Sequence, residues 1–231
     1  DALPGAAHAR LHELATRRLA GEPMAYLTGS KAFYGLQLQV DARVLDPRDD
    51  TETLVDWALA LLPRDAGRRV LDLGTGSGAI ALALAAERPR ARVTAVDASA
   101  DALAVAAGNA ARLGLELDLR HGDWLGPLAD ERFDLIVSNP PYIAADDPHL
   151  PALAHEPRQA LVSGADGLHD IRRIIAAAPE HLAPGAWLLL EHGWDQAAAA
   201  RALLSDSGWA QVQSRRDLAG VERCSGGRWP L

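Results

Sequence analysis

Lysine is nearly missing from this 231-residue chain: Lys31 stands alone beside 22 arginines. With the high alanine content, that bias reads as genome composition rather than function. A single cysteine, Cys224, excludes a disulfide within the chain. The eight histidines are scattered, and no His/Cys cluster has metal-ligand spacing, so no metal site is expected. No apolar run is long and unbroken enough to cross a bilayer, and no charged-then-apolar leader opens the sequence, which points to a cytoplasmic protein. The formal net charge of −8 argues against a surface built to neutralise phosphates, because nonspecific nucleic-acid affinity comes from clustered Lys and Arg. Methionine occurs once, at Met24, so a segment N-terminal to this chain is expected. At this length one sizeable α/β core plus a small appendage can be buried.

Two stretches carry chemistry. The apolar run Phe133-Asp134-Leu135-Ile136-Val137-Ser138 ends in Asn139-Pro140-Pro141-Tyr142. The Asn amide oxygen and the backbone carbonyl beside it can accept both hydrogens of a planar NH₂ group, while the prolines fix φ and remove competing N–H donors. A neutral amide or aryl amine is the expected substrate group. Upstream, Val70-Leu71-Asp72-Leu73 runs into Gly74-Thr75-Gly76-Ser77-Gly78 and then an alanine- and leucine-rich segment, which reads as buried strand, tight turn and helix. Glycines let a backbone approach a ligand closely, and the helix N-terminus offers free N–H groups. A second strand, 92–97, ends in Asp97, a carboxylate placed to accept ribose hydroxyl hydrogens outside the carboxyl ends of the strands. A dinucleotide-binding oxidoreductase competes for this pattern. However, the turn lacks the G-x-G-x-x-G register whose third glycine sits on the packed helix face.

Along the chain, residues 6–19 have helical periodicity, and 33–40 alternates as a strand that pairs with 43–45 in a hairpin. An amphipathic helix is expected over 51–62, capped by Asp50 or Thr51. Strands follow at 69–73, 92–97, about 116–121, 133–138 and 186–191, with helices at 77–88, 99–113, 167–182 and 195–207. Two closing strands, near 209–216 and 220–229, form a hairpin at the antiparallel edge. The alternation predicts an α/β fold with a mixed seven-stranded sheet covered on both faces. Residues 1–45 read as the remnant of a helical docking domain with its linker hairpin, and 46–231 as the main domain.

The glycine turn resembles motif I of the Rossmann-like class I S-adenosylmethionine-dependent methyltransferases. Further segments occur in the order found in the peptide chain release factor glutamine methyltransferases: 21–29, Pro47-Arg48-Asp49-Asp50-Thr51-Glu52, Asn139-Pro140-Pro141-Tyr142, Glu156-Pro157, Asp166-Gly167 and Leu190-Glu191-His192-Gly193-Trp194. The resemblance covers essentially the whole chain. It implies S-adenosylmethionine as cofactor, S-adenosylhomocysteine as product, and methylation of N5 of the glutamine in the Gly-Gly-Gln motif of bacterial class I release factors. A sister enzyme acting on a ribosomal protein and, more distantly, an adenine N6-methyltransferase share the Asn-Pro-Pro-Tyr strand end. The adenine reading lacks the basic, aromatic-interleaved segment needed to grip phosphate around an extruded base.

On this resemblance Gly74, Thr75, Gly76, Ser77, Gly78, Asp97, Asp123, Trp124 and Asn139 are the expected cofactor residues, with Trp124 covering the adenine and Asp123 accepting from its amine. Asn139, Pro140, Pro141, Tyr142 and Arg48 are expected at the substrate, with Asn139, Pro140 and Tyr142 closest to the reaction. Tyr142 packs against glutamine or sulfonium, or fastens the loop to the sheet. Arg48 and Asp50 line the substrate entrance or form a solvated helix start. Asp49 stands where the family usually has a second proline, and Asp46 where an apolar residue is common. Glu191 and His192 are read as orienting a loop through hydrogen bonds, and Phe33 and Tyr34 as hairpin core.

Overall fold

The computed structural model describes residues 5–230; Asp1 to Pro4 and Leu231, the extremities of the two expected domains, lie outside the described residues. The chain opens with α1 (Gly5–Leu19) and a short α2 (Met24–Thr28), followed by the hairpin β1 (Ser30–Phe33) and β2 (Leu36–Gln39) and by α3 (Glu52–Leu61). Then come β3 (Arg69–Leu73), α4 (Ala79–Glu87), β4 (Arg92–Asp97), α5 (Ala100–Leu113), β5 (Asp118–His121), β6 (Phe133–Ser138), α6 (His169–Ala177), β7 (Leu182–Glu191), α7 (Ala197–Asp206), β8 (Ala210–Arg216) and β9 (Glu222–Arg228). No helix among the described residues is long and apolar enough to cross a membrane.

The seven-stranded sheet has the order β5-β4-β3-β6-β7-β9-β8, so the chain winds outward from β3 on one side and from β6 on the other. Crevices open at the carboxyl ends of strands where the winding direction reverses. Side chains in the central strands alternate between two cores. Val70, Val93, Ala95, Leu135, Val137 and Leu189 pack under α3, α4 and α5. Leu71, Leu73, Val96, Ile136, Leu188 and Leu190 pack under α6 and α7. Both faces are thus apolar, and these strands read as near-continuous apolar runs, as expected of a buried parallel sheet. β9 alone runs opposite to the other six strands of this sheet. It is inserted between β7 and β8 rather than forming the edge.

The N-terminal hairpin differs from expectation. The run 33–40 is not one strand: Tyr34 and Gly35 both take positive φ, 47° and 75°, and turn β1 directly onto β2. Two positive φ values make the primed turn whose twist matches a hairpin. The non-glycine residue is held there by Glu52, which accepts the Tyr34 N–H at 2.7 Å, and by Asp56, which accepts its hydroxyl at 2.6 Å. Residues 43–45 form no strand, although Val44 is buried and its carbonyl accepts the Tyr26 hydroxyl. The expected helix 167–182 stops at Ala177. Pro179 sits in the tighter 3₁₀ turn Ala178–His181, and β7 begins at Leu182 instead of 186.

Candidate active site

At the end of β3 the chain makes a turn through Gly74, Gly76 and Gly78, all at positive φ. The Gly74 and Thr75 N–H groups donate to the Val96 carbonyl at 2.9 and 3.0 Å, which ties the turn to β4. A Cβ on Gly74 would lie 3.3 Å from the Trp124 ring, so the backbone and the indole are in direct contact. Thr75 turns away from the cleft: its hydroxyl donates to Asp72 Oδ2 at 2.7 Å. Ser77 is buried as well, and Gly78 abuts Leu82 and Ala106, where a Cβ would come within 3.1 and 3.2 Å. Gly78 therefore does the helix-packing work that sequence spacing had denied to a third glycine. Asp72 is fully buried, and burial pushes its carboxyl up to about 7 against the pull of Thr75.

Asp97, ending β4, accepts the Gly76 N–H on Oδ2 and the Ser99 N–H on Oδ1, each at 2.8 Å. Burial raises its pKa, and these backbone donors oppose the rise. One carboxylate thus fixes both the glycine turn and the start of α5. Trp124, at φ 47°, donates its indole N–H to Asp170 at 3.2 Å, and Asp170 also accepts the Ser163 hydroxyl at 2.7 Å. Asp123 is largely exposed and pairs with Arg173 at 2.5 Å. Gly74, Gly76, Asp97, Asp123, Trp124, Pro141 and Asn139 line one cleft of about 740 Å³, its open mouth included.

Asn139 lies where this cleft meets a second pocket, lined by Arg48, Tyr142, Leu45 and Ile143 among others. Its Nδ2 donates to Thr51 Oγ1 at 3.2 Å, while its Oδ1 is buried and has no partner among the described residues. A buried acceptor without a donor costs about 1–3 kcal/mol, so this atom is aimed at something other than the protein's own groups. Pro140 lines neither pocket. Tyr142 is pushed up in pKa by burial and then by the Glu191 charge. Its carbonyl accepts from Gln196 Nε2 at 3.0 Å, while Gln196 Oε1 takes the Gly193 N–H at 2.8 Å. Gln196 therefore joins the Asn-Pro-Pro-Tyr loop to the end of β7. Gly167 explains its own identity: a Cβ there would fall 2.3 Å from the Tyr142 carbonyl oxygen.

Arg48 donates to the buried Glu156 at 2.5 Å, and the other Glu156 oxygen accepts the Asp46 N–H at 3.1 Å. Asp49 reaches outward to Lys31 at 2.8 Å, so the acid in the usual proline position serves a surface ion pair. His192 is buried between the Gly193 carbonyl and Ser225, 2.8 Å from the serine hydroxyl, and desolvation lowers its pKa. Thr51, expected as a possible helix cap, makes no capping hydrogen bond; its side chain meets Asn139 instead. Thr51, Gln196 and Glu156 were missed as site residues because their partners are remote in sequence. Among the described residues no group of three His, Cys, Asp or Glu is placed to hold a metal.

The methyltransferase small domain family matches residues 52–168 of the chain. The release factor glutamine methyltransferase of Bordetella pertussis is 56% identical over 230 residues, covering 98% of this chain and 85% of the relative. That of Pseudomonas aeruginosa is 52% identical over 230 residues, covering 98% and 83%. Among solved structures, the release factor-specific protein-(glutamine-N5) methyltransferase of Alicyclobacillus acidocaldarius superposes with a TM-score of 0.50 at 32% identity, over 80% of this chain and 94% of that one. A methyltransferase from Pyrococcus furiosus reaches 0.65 at 18% identity over 99% and 100%, a likeness of fold.

Proposed function

The chain belongs to the release factor glutamine methyltransferases, and we propose that Asn139 is the residue at which it performs its reaction. It methylates release factors on a glutamine side-chain nitrogen. The observation that carries the assignment of the site is the unpartnered Asn139 Oδ1 at the junction of two pockets, one suited to a nucleoside and one to a short side chain. In this reading S-adenosylmethionine occupies the Asp97 and Trp124 cleft, where it supplies an electrophilic methyl on a sulfonium. The fit rests on features of this chain: the bare Gly74 backbone under the Trp124 ring, and the Asp97 carboxylate at a strand end. The target is the glutamine of Gly-Gly-Gln in class I factors, in the cytoplasm, and residues up to 45 contribute to docking.

A glutamine nitrogen is a poor nucleophile because its lone pair is delocalised into the carbonyl. The protein's task is therefore orientation. Asn139 Oδ1 accepts one N–H of the target amide and the Pro140 carbonyl the other, which turns the nitrogen toward the methyl group. As the new C–N bond would form at the expense of the methyl–sulfur bond, whose electron pair returns to sulfur, positive charge develops on that nitrogen, and both acceptors interact more strongly with its hydrogens. One proton then leaves to solvent. Arg48, fixed by Glu156, borders the glutamine pocket, and Tyr142 walls it.

Asn139→Ala should lower the transfer rate by orders of magnitude and leave most of the cofactor affinity. Mass spectrometry of release factor incubated with enzyme and S-adenosylmethionine should find one added methyl on the Gly-Gly-Gln glutamine. An unmodified factor beside efficient methylation of a ribosomal-protein glutamine or of DNA adenine would overturn the assignment. A free Gly-Gly-Gln peptide has little surface with which to offset the entropy of ordering, so the intact factor should be much the better substrate.

A further inference from the structure

Asn139 can serve an NH₂ group in only one of its two amide orientations. With Oδ1 toward the pocket it accepts; rotated by 180° it would present N–H to N–H. The two orientations have nearly the same shape, so packing alone does not choose between them, and a hydrogen-bond network must. The network here runs away from the cleft. Asn139 Nδ2 meets Thr51 Oγ1 at 3.2 Å, and behind them Glu191, 1% exposed, ends β7. Strand β7 is the neighbour of β6, and Leu190 pairs with Ser138, so residues 139 and 191 leave the sheet side by side. Burial pushes the Glu191 carboxyl up to about 7, while the Thr51 hydroxyl, the nearby Arg223 charge and the Asn139 amide pull toward the ionised form, and its buried Oε2 has no hydrogen-bond partner among the described residues.

An ionised carboxylate only accepts, and a hydroxyl has one proton. Once Glu191 is ionised, as pH rises through about 7, Thr51 must give its proton to Glu191, which leaves its lone pairs for Asn139. Asn139 must then turn its NH₂ toward Thr51 and its Oδ1 toward the pocket. We propose that Glu191 is a positioning residue that sets the amide orientation of Asn139 through the Thr51 hydroxyl. The inference rests on the reading of Asn139 as the amide-holding residue. It also accounts for a threonine at a helix start whose hydroxyl makes no cap.

The relay reverses if Glu191 takes up a proton, because it can then donate to Thr51, which donates in turn to Asn139. Facing Glu191 are Arg223 and Cys224 from β9, Asp50 from the turn before α3, and Tyr142. Arg223 is held by Asp50 at 3.2 Å and Asp217 at 3.1 Å.

The test measures single-turnover methyl transfer to intact release factor, with S-adenosylhomocysteine affinity determined by calorimetry. Glu191→Gln, whose amide can donate, and Thr51→Val, which has no hydroxyl, should each slow transfer by about tenfold or more, the scale set by small misplacement of a reacting group. Both should retain cofactor affinity within about twofold, since neither change touches the Asp97 side of the cleft. Thr51→Ser should restore most of the rate. The double variant should be little slower than either single one, because the relay is already broken. Wild type should lose rate on the acid side, and Glu191→Gln should lack that limb. A wild-type rate and pH profile in Glu191→Gln, or a Thr51→Ser as slow as Thr51→Val, would overturn the proposal. If Glu191→Gln fails to fold, the two Thr51 variants decide alone. Asn139→Ala separates the two levels: if it transfers normally, the reading of Asn139 has failed. If it is inactive while Glu191→Gln is not, only the relay has.

Discussion

Replacement of Asp97 by alanine separates cofactor recognition from folding, because the two kinds of bond this carboxylate makes can be measured apart. The side chain accepts two backbone N–H groups at 2.8 Å, from Gly76 and Ser99, and keeps further lone pairs toward the cleft. Losing ribose hydroxyl donors to a charged acceptor should weaken S-adenosylmethionine binding by roughly 1–3 kcal/mol, about 5- to 150-fold in Kd. Loss of the two backbone bonds acts on stability, by about 1–3 kcal/mol in total, since both freed N–H groups border an open cleft and regain water. Asp97→Asn gives a partial control. It keeps the volume but sets an NH₂ against one of the two backbone donors, so it should damage folding more than its size suggests. Calorimetry with S-adenosylmethionine beside thermal unfolding provides the readout. A folded Asp97→Ala that binds the cofactor as tightly as wild type would remove Asp97 from the ribose site, however much its melting temperature had fallen.

Trp124→Ala should weaken cofactor binding by roughly 1–3 kcal/mol, the worth of stacking a base on an aromatic ring. Equal affinity in the variant, measured by calorimetry, would mean that the indole only covers the Gly74 backbone. Gly167→Ala should unfold more easily by 2 kcal/mol or more, because the new methyl is forced toward the Tyr142 carbonyl at a positive φ of 72°; denaturant titration would show this. Burial raises Glu191 from 4.5 to about 7, so between those pH values the folded chain holds a proton that the unfolded chain has released. That contribution to stability is complete below the lower value and disappears as pH rises through the higher one. Glu191→Gln should accordingly gain on wild type by roughly 2–3 kcal/mol between pH 5 and pH 8, and parallel unfolding curves at the two pH values would contradict it.

The sheet was readable in the sequence because its central strands are apolar on both faces and the connections are punctuated by glycine and proline. Residues 69–73, 92–97 and 133–138 appear within the expected bounds. The hairpin was misread because Tyr34 gives no sign of a positive φ; what holds it there, Glu52 and Asp56, lies on α3. The order of the last strands was only half legible. A hairpin of β8 and β9 follows from local spacing, whereas the insertion of β9 beside β7 depends on what the sheet edge offers. The candidate site divides in the same way. Asn139, Asp97 and Trp124 stand at strand ends that the pattern announces, whereas Thr51, Gln196 and Glu156 act through partners 88, 54 and 108 residues away.

Five buried side-chain atoms lack a partner among the described residues, on Asp46, Asp72, Asn139, Glu191 and Trp209. Asp72, Asn139 and Glu191 stand on adjacent strands, at or near the carboxyl ends of β3, β6 and β7. Each such atom costs the folded chain about 1–3 kcal/mol, so their gathering at one end of the sheet marks a place where stability has been given up for binding. Asn139 allows a direct test. Truncation to alanine removes the bond to Thr51, a loss of about 0.5–1.5 kcal/mol, but it also removes the orphaned Oδ1, a gain of about 1–3 kcal/mol. The ligand-free Asn139→Ala protein should therefore be no less stable than wild type, and by this sum slightly more so, while nearly inactive. Unfolding of the two proteins without cofactor or factor, compared at one pH, decides the point. A drop of several degrees in the variant would show that the Asn139 side chain holds the loop together, and that its free oxygen is not a vacancy kept for the substrate amide.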